Sequence, residues 1–215
     1  MQSTIKSLAA SVLLITLSAT LSAQTSRFSI SVNSLTTNFD YGKSNAELRP
    51  YKKNYKGLKA GISYQAGISP SFSLVPELYF AIKGGSLKED NPLTVSKSTL
   101  RLSSLEMPVL ARLHCHNLYL DAGPYTAYTL GGRIKGEGGS TLPETPAKIP
   151  FGHAAGDFKR WDAGFQAGVG YNFNMKKSIL TTDLRYGYGL VNISRDVERY
   201  NRVLSISVLV AKSGK

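Results

Sequence analysis

The sequence predicts an all-β fold, a transmembrane antiparallel up-and-down β-barrel of about eight strands, and three observations predict it. Hydrophobicity alternates with period two along most of the chain, charged residues fall in the phase opposite the apolar one, and the connections between strands are short and long in turn. Segments with helical period and caps do not occur.

The chain opens "MQSTIKSLAASVLLITLSATLSAQ", one lysine, an apolar run from Leu8 to Leu17, then small residues to Ala23. That three-part pattern predicts a secretory signal peptide over residues 1–23, leaving residues 24–215 as one barrel domain. The run is too short for an anchor helix, which needs about 20 apolar residues, and no later segment is apolar for long enough. A single cysteine, Cys115, excludes an internal disulfide and with it the small disulfide-stapled secreted folds.

Each strand then shows two unlike faces. "RFSISVNSLTTNF" (27–39) opens the series. In 56–69, Leu58, Ala60, Ile62, Tyr64, Ala66 and Ile68 lie opposite Lys59, Gly61, Ser63, Gln65 and Gly67. In 72–85, Leu74, Leu78, Phe80 and Ile82 oppose Glu77, Tyr79 and Lys83. The stretch 103–133 reads as two strands joined by the turn "HCHN", with Glu106, Arg112 and Asp121 alternating with leucine, methionine and valine. Trp161, Phe165, Val169, Tyr171 and Phe173 face away from Asp162 and Gln166, and Leu180, Leu184, Tyr186 and Tyr188 away from Asp183 and Arg185. "NRVLSISVLVAK" (201–212) closes the series. Connections after the second, fourth and sixth strands are short ("SPS", "HCHN", "NMKK"), and the others run over about 40–56, 84–98, 132–158 and 191–200. Short turns at one end and long loops at the other are the pattern of an outer-membrane barrel.

Alternation leaves open which face points inward, because a soluble lipocalin-like carrier also alternates. With the apolar face inside, the solvent face would hold many glycines and few charges. With it outside, Lys83, Arg112 and Arg185 avoid the roughly 2–4 kcal/mol that a basic residue costs on the lipid side near the midplane. The interior of eight strands is just wide enough for side chains to fill. The sequence therefore predicts a structural ion-pair network in which Lys59, Lys83, Arg112 and Arg185 meet Glu77, Glu106, Asp121, Asp162 and Asp183, with Tyr79, Tyr119 and Tyr125 supplying hydroxyls. Phe72 and Phe173 at one set of strand ends and Tyr128, Trp161 and Tyr188 at the other suit interfacial girdles.

Three pieces, "LVPELYFAIKGG" (74–85), "LSSLEMPVLARLHCHNLYLDAGPYTAYTLGG" (102–132) and "WDAGFQAGVGY…LRYGYGLVNI" (161–193), together resemble the PorT-type outer-membrane β-barrel domain family of Bacteroidota. The resemblance implies a small monomeric barrel in the bacterial outer membrane and accommodates Pro76, Pro108 and Pro124 within strands. It also implies a link to secretion, since the family's namesake is similar to a type IX secretion component. The last strand, "SISVLVAKSGK", departs from such barrels in having no terminal aromatic.

The formal charge is +12, or +11 once Lys6 leaves with the leader. Export makes nucleic acid an unsuitable partner for that charge; outer-membrane lipid and lipopolysaccharide suit it better. Long loops are where function usually sits, so the first loop supplies contact candidates in Arg49, Tyr51, Lys52, Lys53, Tyr55 and Lys56, beside Tyr41, for an envelope or secretion-system protein. No catalytic residue and no cofactor is expected. His114, Cys115 and His116 form a weak metal-ligand candidate, short of the usual four donors. His153, with Ser140 and Asp157, carries the alternative of a lipid A-modifying barrel enzyme, although no nucleophile motif is present.

Overall fold

A chain whose every second residue is apolar has one backbone conformation that separates the two sets, and this chain adopts it almost throughout. The computed structural model describes residues 26–93, 95–137 and 145–212. The expected leader, Ser140 and the extreme C-terminus lie outside these residues. Along the chain come β1 (Arg27–Asp40), a helical turn α1 (Asn45–Leu48) between two 3-10 turns, β2 (Lys52–Ser69), β3 (Phe72–Leu87), β4 (Lys97–Cys115) and β5 (Leu118–Glu137). A two-residue strand β6 (Ala147–Lys148), β7 (Trp161–Asn174), β8 (Ser178–Gly189) and β9 (Tyr200–Lys212) follow.

The eight long strands close on themselves. Each pairs antiparallel with its neighbours in the order β1, β2, β3, β4, β5, β7, β8, β9, and β9 returns to β1, while β6 adds to the far end of β5. Closure removes the free sheet edge that a long apolar strand would otherwise expose. Register fixes the faces: Val32 sits opposite Val208 and Ala60 on the outer wall, and Asn33 opposite Ser207 and Lys59 on the inner. Phe28, Ile30, Leu58, Leu120, Phe165 and Ile206 are exposed, whereas the charged residues of the opposite phase are buried. The apolar face is the outside, as a lipid-facing wall requires. Among the described residues no helix is long and apolar enough to cross a membrane; the strands carry the apolar wall. Ala66 departs from its phase, buried where an outward position was expected, beside the register shift at Gly67 and Ser69.

The strands are longer than the sequence pattern marked. The β4–β5 turn is two residues, not four: His114 and Cys115 still belong to β4, and His116 turns the chain with a φ of 57°. On the other side β2 to β5 run 18, 16, 19 and 20 residues, well beyond the roughly 9–11 that cross a bilayer. They stand above the apolar band as a wall on one side of the rim. Alternation weakens there because both faces of a strand above the bilayer meet water or loop, so residues 52–56 and 132–137 read as loop.

Candidate functional site: the filled interior and its cap

The inner phase of the strands brings the nine predicted charged residues into one buried assembly, four cations against five carboxylates. Toward the loop side, Lys83 Nζ lies 2.7 Å from Glu106 Oε1 and 3.2 Å from Asp162 Oδ2. Asp162 Oδ2 also accepts from Tyr125 (3.2 Å) and Asn201 (2.8 Å). Toward the turn side, Arg185 is a hub between Glu77 (2.7 Å), Asp121 (3.1 Å) and Asp183 (3.2 Å). Arg112 donates to Asp121 Oδ2 at 2.7 Å and stacks 3.7 Å over the Tyr119 ring, whose hydroxyl donates to Asp183 at 2.9 Å. Such contacts make buried charge tolerable, since each ion left unpaired costs several kcal/mol. Lys59 differs from the expected pairing. It is buried with the others, but its ammonium sits 4.4 Å over the Tyr79 ring and makes no ion pair within 4.0 Å among the described residues.

Small residues make the room. A Cβ at Gly170, on the inner face of β7, would meet the Tyr119 ring, so only glycine leaves that ring its place beside Asp183. At the turn-side mouth a polar recess of about 570 Å³ is lined by Arg27, Gln65, Ser73, His114 and Asn172.

Above the charged layer the inner phase turns apolar. Phe39, Tyr41, Leu48, Leu87, Leu100, Leu102, Ile149, Phe158 and Ile193 form a buried cluster drawn from strand tops and three loops. This cap is not among the features expected from the sequence. Its signal is present in the phase itself: Leu87 continues the side of Lys83, and Leu100 and Leu102 continue that of Ser104 and Glu106. One rim is held by charge: Arg199 donates to Ser194 Oγ (2.7 Å) and Asp196 Oδ1 (2.9 Å) while facing the Tyr41 and Phe158 rings. Burial raises the pKa of Asp196, but the Ser194 hydroxyl, the Arg199 guanidinium and the Val197 N–H together outweigh it and hold the carboxyl below the usual Asp value.

The first-loop candidates are divided by the fold. Tyr41 is buried in the cap and Tyr51 packs against it, so neither is a free contact. Arg49 is exposed on a 3-10 turn, while Lys52, Lys53, Tyr55 and Lys56 ride on the protruding end of β2. Lys52 donates to Asn45 and Lys56 to Thr36. His114, Cys115 and His116 do not converge. His114 Nε2 is 2.9 Å from Ser73 Oγ at the barrel mouth, Cys115 is exposed, and no group of three such side chains among the described residues is placed to hold a metal. His153 is exposed, and the carboxylate of Asp157 accepts from the Ala154 N–H.

These features define a closed membrane barrel with a packed interior. Residues 17–195 match the model of the outer membrane protein beta-barrel domain, and the chain belongs to that family. Among solved structures it is similar to Ail of Yersinia pestis, crystallised with the heparin analogue sucrose octasulfate, at 12% identity over 87% of this chain and 96% of that one (TM-score 0.42). It is likewise similar to Neisserial surface protein A at 12% identity over 89% and 100% (TM-score 0.45), and to the N-terminal β-barrel domain of OprF from Pseudomonas aeruginosa at 12% over 86% and 99% (TM-score 0.29). No curated protein matches the chain.

Proposed function

We propose that this chain is a PorT-type barrel, exported by its leader, that acts without catalysis as a binding or scaffold protein of the outer membrane. It works as a monomer and presents its loop-side rim to an envelope or secretion-system protein. One observation carries the reading: charge fills the interior and an apolar cap packs over it, so the rim is the surface left for chemistry with partners. The exposed turn at Arg49 and the basic end of β2 at Lys53 and Tyr55 offer a ready contact face. No cofactor enters this role.

The test is site-specific cross-linking in cells from positions 49, 53 and 55. A partner should be captured there and not from Lys177 at the opposite rim, and replacing residues 42–51 with a short Gly-Asn linker should abolish capture while the barrel keeps its heat-modifiable mobility. Equal capture from both rims, or capture that survives loop replacement, would refute a rim-borne role. Loss of a lipid A modification on His153→Ala alone would instead establish the enzyme alternative.

A further inference from the structure

Three cations stand in one row on the outer wall above the aromatic girdle. Arg101 of β4 lies directly opposite Arg133 of β5, and Arg133 directly opposite Lys148 of β6. Arg101 continues the outward phase of Leu105, Met107 and Val109, and all three cations are exposed. A fourth, Arg160, is fixed beside them: it donates to the carbonyls of Thr129 (3.0 Å) and Leu130 (3.2 Å) and its guanidinium lies 4.2 Å from the Phe151 ring. Together with Leu130 and Phe151 these side chains line a cleft of about 710 Å³.

Like charges placed directly opposite destabilise a strand pair, so such a row calls for an anion. The protein supplies none among the described residues: no carboxylate lies within 4.0 Å of any of the four cations. The contrast is close at hand, since Lys97 and Lys135, on the same two strands, both pair with Glu137. Height narrows the choice of anion. Arg101 stands four residues beyond the lipid-facing Leu105, about 13 Å along the strand, or about 10 Å of height at the usual tilt. Tyr128 and Trp161, in edge contact at 5.1 Å, mark the interface below. A guanidinium pair suits phosphate oxygens bidentately, and the exposed Leu130 lining the cleft suits the start of an acyl chain.

We propose that this cleft binds the phosphate of an outer-leaflet glycolipid headgroup, of the phosphorylated lipid A class, and so orients the barrel and its rim in the leaflet. The inference rests on the outer-membrane placement and is independent of any protein partner at the loops.

The test uses the full mature chain, delipidated in a zwitterionic detergent, with lipid A carrying both phosphates, the same lipid A dephosphorylated, and inorganic phosphate as probes. Retention is read by native mass spectrometry. The phosphorylated lipid should bind, and Arg101→Gln/Arg133→Gln/Lys148→Gln should weaken it on the order of a hundredfold, from roughly fivefold per cation. Lys176→Gln/Lys177→Gln at the other rim should leave binding unchanged. Should the triple variant fail the heat-mobility check for folding, single Arg101→Gln and Lys148→Gln variants read the same quantity, each about fivefold weaker. Equal binding of dephosphorylated lipid A, or parental binding by the folded variants, would overturn the assignment. Displacement of the lipid by millimolar inorganic phosphate would make the cleft a soluble-anion site and also overturn it.

Discussion

At the scale of single residues the interior separates two kinds of buried cation. Arg185 touches three carboxylates, and replacing it with methionine leaves Glu77 without a cation in the interior of a membrane protein, while Asp121 keeps Arg112 and Asp183 keeps the Tyr119 hydroxyl. Arg185→Met should therefore cost about 3–5 kcal/mol, read as a shifted urea midpoint in detergent micelles. Lys59 has a ring and no carboxylate within ion-pair reach, so Lys59→Met exchanges a cation–π contact for relief of a buried charge and should stay within about 1 kcal/mol of the parent. Gly170→Ala should cost about 1–3 kcal/mol, because the new methyl displaces the Tyr119 ring from Asp183. At the rim, Asp196 has a folded pKa below its unfolded value, so its contribution is present above about pH 4 and is lost as pH falls through the folded value. Proteolysis of the 190–199 loop should thus rise on acidification, and Asp196→Asn should remove that rise by making the loop equally susceptible at neutral pH. Period two put all nine charged side chains on one face, and the cost of a cation against lipid turned that face inward. It could not say that Lys59 would meet a ring, since partners inside a closed barrel depend on stagger between strands distant in sequence.

At the scale of elements the protein is built as two stacked cores, one ionic within the membrane band and one apolar above it. The apolar cap takes residues from β1, β3 and β4 and from the loops that carry Tyr41, Leu48, Ile149, Phe158 and Ile193. Leu100→Ala should loosen the cap by about 2–4 kcal/mol without opening the barrel. Limited proteolysis should then cut within the loops while the heat-modifiable mobility of the folded barrel persists. The membrane-embedded parts of the strands were legible because lipid on one side and packed side chains on the other force strict alternation. The protruding ends of β2 and β5 were not, because above the bilayer that contrast disappears, and with it the signal that would have shown Lys52 to Lys56 as strand. The β4–β5 turn is shorter than its sequence suggests for a similar local reason: His114 and Cys115 are polar enough to suit a turn, but the chain reverses at His116, whose positive φ no pattern announces.

At the scale of the whole molecule the outer wall, the interior and the rim have separate tasks. The wall meets lipid, the interior holds the wall together with paired charge, and the rim stands clear of the membrane on long strands. We propose that the interior is closed to ions, because Lys83, Arg185 and their carboxylates meet across it at 2.7–3.2 Å and the cap lies over them. Conduction would require these contacts to part. The most direct test is therefore single-channel recording of the purified barrel in a planar bilayer. The geometry predicts a silent membrane for the parent chain and for Leu100→Ala, with current appearing only when the Arg185 hub is broken together with the cap. Steady ohmic conductance from the parent protein would contradict a filled interior and make the barrel a channel.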